Sequence, residues 1–454
     1  MPTNTLSAKE EKIQTPAREG RQRIAILGHV GTQNLGDEAI LAAVIQNLRV
    51  RLPDVEIDCF TARPEDTELR HGIRAFPVRR PATKAYGPNA SLCSPDAAHS
   101  ASGTWARLAD RIRARPQLYR SLKSIQAAGA ALVRAACEPA FLIQSYRNLK
   151  RNRLLIIAGS QQLNDAYGGP WGFPYTLFKW TLLAKLAGTR VGFLSVGAGP
   201  LTSSLSRWFC RCALSWADYR SYRDDISSLL AQRLGVRGEN PVVPDLVYSL
   251  SMADTHSSRP SARPVVGINP VPFFDGRYWP TEDRRIYEDY VQKIANFAKW
   301  LVDTGHQVVL FPTQLRADPL VIDDIRQALN GYSSQDSIRI GSAFRDVEGL
   351  IQQLCEMDLV VANRYHGILL SIALNKPVLG LAYHDKSTAL LTQIGVGEYA
   401  MDVKDLDLSQ MQARFELLES QAKSVKQVML DKIGKLRGAL DRQYDQVLAL
   451  LDRG

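Results

Sequence analysis

Short, uninterrupted apolar runs alternate with longer stretches of helical periodicity along nearly the whole chain. Arg23-Ile-Ala-Ile-Leu-Gly28 predicts a buried strand, and 39–52 carries Ile40, Leu41, Val44, Ile45 and Leu48 at helical spacing. Further strands are expected at 55–60, 154–158, 191–196 and 242–243, with helices between. After residue 264 the alternation restarts. Strands are predicted at 265–269, 307–311, 337–340, 358–362 and 377–383, and helices at 282–304, 319–330 and 367–375. Strands that read apolar throughout, without alternation, are parallel and covered on both faces. The expected fold class is α/β: two Rossmann-like domains with a central cleft.

The boundaries follow from breaks in that pattern. Residues 1–20 are polar and read as a disordered tail; 21–255 form an N-terminal Rossmann-like domain carrying an insertion at about 79–153. Thr255-His-Ser-Ser-Arg-Pro-Ser-Ala-Arg-Pro264 marks a linker over 256–264, and 265–405 form the C-terminal Rossmann-like domain. Residues 406–454 are C-terminal helices, amphipathic and expected to pack back across the N-terminal half.

Composition changes this picture in two places. A hydrophobic share of 45% in 454 residues supplies two cores, which supports the two-domain division. The net charge of +10 is local: residues 79–153 hold 14 Lys and Arg against three Asp and Glu, leaving the remainder near −1. No aromatic nucleic-acid-reading pattern accompanies the basic segment, so nucleic acid is not expected as a partner. Two readings of the segment stand: peripheral contact with an anionic membrane, or a solvated insertion of helices with charged outer faces. No apolar run reaches the roughly 18 residues of a membrane span, the first residues lack the core of a secretion signal, and the six cysteines form no disulfide or metal framework. A cytoplasmic protein is expected, with peripheral attachment to the inner membrane face as an open alternative, and with no metal.

The candidate chemistry concentrates in Arg364-Tyr365-His366 and Asp385-Lys386. Each follows a strand of one β-α-β unit, so Arg364, His366 and Lys386 are expected at one crevice mouth. Two positive charges, an imidazole and a helix N-terminus describe an anion site with a proton donor. In the first domain, Gly28-His-Val-Gly-Thr-Gln-Asn-Leu-Gly-Asp-Glu38 joins the first strand to the first helix. It matches neither G-x-G-x-x-G nor a P-loop. With Asp37 and Glu38 where a phosphate would sit, it reads as a hydroxyl-binding loop using Asn34 and Asp37. Asp37 is either a base or a cap of its helix. Gly159 and Ser160 follow another strand and permit close backbone approach to a ligand, or serve only a turn. Arg223 is either an anion ligand or the structural partner of Asp224; Asp245 follows Pro244 as a further candidate. Lys386 as a plain surface lysine also stays open.

Asn34-Leu-Gly-Asp-Glu38, Gly197-Ala-Gly-Pro200, Tyr222-Arg-Asp224 with Ser227, Pro244-Asp245, Asn363-Arg-Tyr-His366 and Asp385-Lys386 together resemble the polysaccharide pyruvyl transferase family, in order from about residue 22 to 400. The resemblance implies a GT-B-like fold and transfer of pyruvate from phosphoenolpyruvate, the co-substrate, onto sugar hydroxyls as a ketal in exopolysaccharide or cell-surface glycan biosynthesis. It implies no other cofactor. On it, His366 and Asp37 are the expected catalytic pair; Arg364, Lys386 and Arg223 bind the donor; Asn34, Gly159, Ser160 and Asp245 face the acceptor, a glycan or lipid-linked oligosaccharide. One departure stands out: where many relatives carry a His after Phe311-Pro312, this chain reads Thr313-Gln-Leu-Arg316, leaving Arg316 and Asp318 as candidate substitutes. The rival readings are a GT-B nucleotide-sugar glycosyltransferase and a non-catalytic, membrane-associated component of polysaccharide assembly.

Overall fold

The computed structural model describes residues 22–80, 138–251, 263–279, 281–334, 337–341 and 346–452. The polar tail, most of the basic insertion and most of the linker expected from sequence lie outside the described residues.

The described strands form two six-stranded sheets, parallel in every pairing. The first contains β1 (Arg23–Leu27), β2 (Glu56–Thr61), β3 (Arg74–Pro77), β4 (Leu154–Ala158), β5 (Arg190–Val196) and β6 (Tyr219–Tyr222), in the order β3-β2-β1-β4-β5-β6. The second contains β7 (Val265–Asn269), β8 (Gln307–Leu310), β9 (Ile338–Ile340), β10 (Leu359–Ala362), β11 (Val378–Ala382) and β12 (Ala400–Asp402), in the order β12-β11-β10-β7-β8-β9. Counted from its own first strand, each sheet has the same doubly wound order, reversing direction between its first and fourth strands. Such folds open their ligand crevice at that reversal, beyond the carboxyl ends of the strands.

The central strands are short, largely apolar runs buried beyond their first residue, and throughout in Leu154-Leu-Ile-Ile-Ala158 and Val378-Leu-Gly-Leu-Ala382. One apolar cluster fills one side of the first sheet and the second lobe; another fills the other side of the first sheet around Phe60, Trp180 and Phe193. The helix α1 (Leu35–Arg51) begins at Asn34, whose side chain accepts from Gly36 N at 3.1 Å. This corrects one expectation, since Asn34 and not Asp37 makes the cap. The expected strand at 242–243 is reduced to a single bridge from Val242 to Tyr222 beside the edge strand β6.

Helices α2 (Pro64–His71), α3 (Phe173–Leu186), α4 (Ser204–Trp216) and α5 (Asp225–Arg233) complete the described first lobe, with residues 138–149 also helical. The second lobe adds α6 (Arg284–Asp303), α7 (Asp318–Ala328), α8 (Val347–Cys355), α9 (Tyr365–Ala373), α10 (Asp385–Ile394) and α11 (Leu408–Ser420). The 27-residue α12 (Ala422–Leu448) returns to the first lobe. There Arg437 Nε donates to Tyr248 O at 3.1 Å, Arg51 pairs with Asp441 at 2.7 Å, and Gln443 Nε2 donates to Ser195 Oγ at 3.1 Å.

The lobes also meet at the mouth of the cleft. Leu35 N donates to Thr313 O and Leu315 N to Gln33 O, each at 3.0 Å, so Asn34 and Gln314 form an antiparallel bridge. The loop leaving β1 and the turn leaving β8 are thereby stitched into one wall.

Candidate functional site

Apart from Asp245, which follows the lone bridge at Val242, the candidate side chains follow the carboxyl ends of strands, because the parallel order delivers all those ends to one edge of each sheet. The two edges face one another, and the N-termini of α1 and α9 meet there. The backbone at Gly36 presses on the His366 ring, and a Cβ added at Gly36 would overlap Cβ, Cγ and Nδ1 of the imidazole. At α9 no side chain caps the helix start, so its first N–H groups make that side of the junction positive.

His366 Nε2 is buried and has no hydrogen-bond partner. Burial holds the imidazole below its ordinary pKa; Lys386 and Arg223 push the same way, against Asp37 and Asp245. The ring is therefore neutral at neutral pH, with a nitrogen left for a ligand. Gly36→Ala is expected to displace this ring while α1 stays folded. Released from burial, His366 would then titrate closer to the unperturbed value of about 6.5, an upward shift readable by NMR. An unchanged His366 titration in that variant would contradict the contact.

Lys386 opens α10, and its Nζ lies 5.3 Å from the Tyr365 ring centroid. On the same ring the Arg223 guanidinium carbon stands at 5.1 Å. Tyr365 is thus flanked by two cations, a geometry its π face favours. Arg223 is buried, 3.4 Å from Asp224 and 3.6 Å from Asp245, while Asp245 Oδ2 has no hydrogen-bond partner. Lys386 has only the neutral Gln161 Oε1, at 3.4 Å. Among the described residues no carboxylate lies within ion-pairing distance of it. Burial pushes the Lys386 pKa down to about 8, with Arg223 adding to the effect and Asp37 opposing it.

Arg364 behaves differently. Its Nε and Nη2 donate to Asp318 Oδ1 at 3.0 and 2.6 Å, and Tyr278 lies under its guanidinium at 5.4 Å. Asp318 is fully buried, and its Oδ2 accepts from the amides of Thr313 and Gln314 at 2.9 and 2.8 Å. Burial disfavours the Arg364 charge, but Asp318 outweighs it and raises the pKa. Asp318 is therefore the anchor of Arg364 and of the 313–318 turn, which corrects its reading as a replacement for a missing His. Arg316 is exposed beside that turn.

In the first lobe, Asp37 Oδ2 accepts from Asn34 Nδ2 at 2.8 Å and lies 3.2 Å from His29 Nδ1. Burial alone would raise the Asp37 pKa; the coulombic and hydrogen-bonding influence of His29 overrides it and holds the carboxyl below its ordinary range. Burial likewise opposes the charge on His29, and Asp37 overrides that, raising the imidazole. Asp37 is thus a fixed anion that His366 senses across the cleft. Glu38, fully buried, accepts from Gly31 N at 2.8 Å and meets His71 Nε2 at 2.8 Å, tying the loop to α2.

Ser160 has φ +63° and contributes to the depressed pKa of Asp37 through its side chain. Gly159 has φ +29°, and a Cβ there would crowd Ile40 at 3.1 Å, so the glycine lets β4 and α1 pack closely. Sequence reading missed His29, Gln161 and the stacking role of Tyr365. His29 stood in the quoted β1 loop as a histidine at a strand's carboxyl end, which was the available signal; nothing local marked Gln161.

Known proteins resemble this chain at two levels. A sequence model of the family described as Polysaccharide pyruvyl transferase matches residues 34–385. The Amylovoran biosynthesis protein AmsJ of Erwinia amylovora is 22% identical over 402 residues, which span 85% of this chain and 89% of that protein. Among solved structures, a glycosyltransferase from Rickettsia africae superposes with a TM-score of 0.52 at 9% identity, covering 96% of this chain and 100% of that one. A UDP-GlcNAc 2-epimerase from Methanocaldococcus jannaschii gives 0.50 at 10% identity, covering 87% and 92%. These structures share the GT-B arrangement of two Rossmann-like lobes, and at such identities the likeness concerns fold alone.

Proposed function

The chain belongs to the polysaccharide pyruvyl transferase family, and from that premise we propose that it transfers the pyruvate group of phosphoenolpyruvate onto two hydroxyls of a glycan, forming a ketal. The observation that carries this reading is the half-buried Lys386 ammonium, which among the described residues hydrogen-bonds only a neutral amide, beside a partnerless imidazole nitrogen. A cation partly withdrawn from water without a carboxylate partner is disfavoured until an anion arrives. A small phosphorylated carboxylate supplies two anionic groups, and Lys386, Arg223 and the uncapped N-terminus of α9 offer them charge-assisted hydrogen bonds.

The chemistry follows in order. The negative charge of bound donor raises the His366 pKa, so the imidazole takes up a proton. It delivers that proton to the donor's methylene carbon, leaving a methyl group and a cationic centre at the adjacent carbon. One glycan hydroxyl attacks that carbon, the bond to the phosphate oxygen breaks, and a second hydroxyl closes the ketal. Of the two hydroxyl protons, one leaves with phosphate and one restores His366. Asp37, held ionised and therefore weakly basic, suits electrostatic support of the imidazolium and the cationic centre more than the general-base role expected from sequence. Asn34, Ser160 and Asp245 line the acceptor side, and a glycan of exopolysaccharide assembly is the acceptor class in keeping with AmsJ.

Phosphate release from phosphoenolpyruvate, assayed against a panel of glycans, tests donor, reaction and acceptor together. Thermal shift with phosphoenolpyruvate beside a UDP-sugar panel separates this reading from a nucleotide-sugar transferase: stabilisation by UDP-sugars alone would refute it. Donor affinity is also expected to depend on pH. An anion stabilises charged Lys386, so binding is strongest below about 8, where the ammonium is protonated, and weakens as pH rises through that value. In Lys386→Met the affinity is expected to be low, without this dependence. Calorimetry over that range checks both statements.

A further inference from the structure

An aromatic face lies beside the cleft and takes no part in the chemistry above. Trp171 meets Tyr175 at 5.2 Å between ring centroids, Tyr175 meets Phe209 at 5.5 Å, and Phe178 joins Phe209, Trp208 and Trp216 at 5.0, 5.2 and 5.5 Å. The chain of rings runs across the neighbouring helices α3 and α4. Its tryptophans are not core residues: Trp171 is 64% exposed, Trp208 51% and Trp216 37%. Exposed contiguous aromatic area of this kind marks an interaction surface.

The charge along it is mostly positive. From residue 166 to residue 217 the chain contains no Asp or Glu, while Arg207 and Arg211 stand exposed on α4 among the rings. Residues 81–137, outside the described structure, add eight Lys and Arg against two Asp and Glu. That segment re-enters the structure at Glu138, whose carboxylate accepts from Lys179 of α3 at 3.3 Å. At the opposite end of α3, Phe173 rests 4.9 Å from the His29 ring, so the aromatic face borders the cleft mouth. Tryptophans with arginines and few carboxylates suit the headgroup level of an anionic bilayer, where indole rings settle and basic residues are attracted. Among the described residues no helix is long and apolar enough to cross a membrane, so the contact is with its surface.

We propose that the α3–α4 aromatic face docks the protein onto an anionic membrane surface, with the cleft mouth held at the level of membrane-borne glycans. The second half of this statement rests on the reading of the cleft as a glycan-modifying site; the docking itself does not.

Co-sedimentation of the full-length protein with phosphatidylcholine vesicles, with and without phosphatidylglycerol, tests the docking without donor or acceptor, so its failure leaves the transfer reaction to be judged separately by phosphate release. The wild type is expected to partition onto phosphatidylglycerol vesicles and weakly onto neutral ones. Trp208→Ser/Trp216→Ser and, separately, Arg207→Glu/Arg211→Glu are each expected to lower that partition roughly tenfold or more. The arginine pair is exposed, so it serves even if the tryptophan pair disturbs folding. Wild-type protein that ignores anionic vesicles, or variants that bind them as well as wild type, would overturn the proposal. So would light scattering that shows a dimer dispersed by the tryptophan changes with no vesicle binding, since the face would then belong to a second copy of the chain.

Discussion

His366→Gln is expected to lower phosphate release from phosphoenolpyruvate, with a working acceptor present, by roughly 10²- to 10⁴-fold. Donor binding measured by calorimetry is expected to stay within a few-fold of wild type. Glutamine keeps much of the volume that fills the space against Gly36 and can still donate a hydrogen bond, but it carries no proton that titrates near neutrality. The loss therefore reports proton delivery to the donor. The pH profile adds a second reading. In wild type the turnover of bound donor is expected to fall as pH rises through the titration of the donor-raised imidazole, because the acid must be protonated. In the variant that limb should vanish. Release at the wild-type rate from His366→Gln would remove the imidazole from the chemistry, whatever its position between Lys386, Arg223 and Asp37.

Asp318→Ala carries the largest expected change in stability, a loss of roughly 3–5 kcal/mol in chemical denaturation. The carboxylate is fully buried and receives two bonds from Arg364 through one oxygen and two amides through the other. Removing it leaves a guanidinium that is 14% exposed without its counter-ion, together with two unsatisfied backbone donors. Replacing both partners, as in Asp318→Leu/Arg364→Met, is expected to cost less than Asp318→Ala alone, because no charge is then stranded. A single-variant loss below about 1 kcal/mol, the size typical of a surface pair, would show that the clamp does not hold the turn. Such an outcome would also return the Arg364 charge to the list of donor ligands.

What the sequence revealed depended on where each strand sits in its sheet. Central strands are buried on both faces and so read as apolar runs; β1, β4, β7, β10 and β11 were legible for that reason. Of the edge strands, β3, β6 and β12 were not, since Arg74-Ala-Phe-Pro77, Tyr219-Arg-Ser-Tyr222 and Ala400-Met-Asp402 carry polar residues that one open side tolerates, whereas β9 was legible through Ile338 and Ile340. At the cleft, the topology argument brought His366 and Lys386 to one crevice, because every parallel strand ends on the same side. It could not say which cation would be neutralised. Arg364 was read as a donor ligand from its place next to His366, yet its partner Asp318 is 46 positions away in sequence and on another helix. Gln161, which meets Lys386 across 225 positions, is the same kind of case. The first pairing is set by how α7 and α9 pack within the second lobe and the other by how the lobes dock, and no local pattern encodes either.

The stitch between residues 33–35 and 313–315 is made by backbone amides and carbonyls. Side chains there can drift without opening the seam, whereas inserting or deleting one residue in either loop would shift the alignment of His366 over Gly36. Homologues that have acquired new glycan preferences are therefore expected to vary in residue identity around the cleft while conserving loop length. Exchanging a whole lobe between two of them is expected to succeed only when both loops keep their spacing.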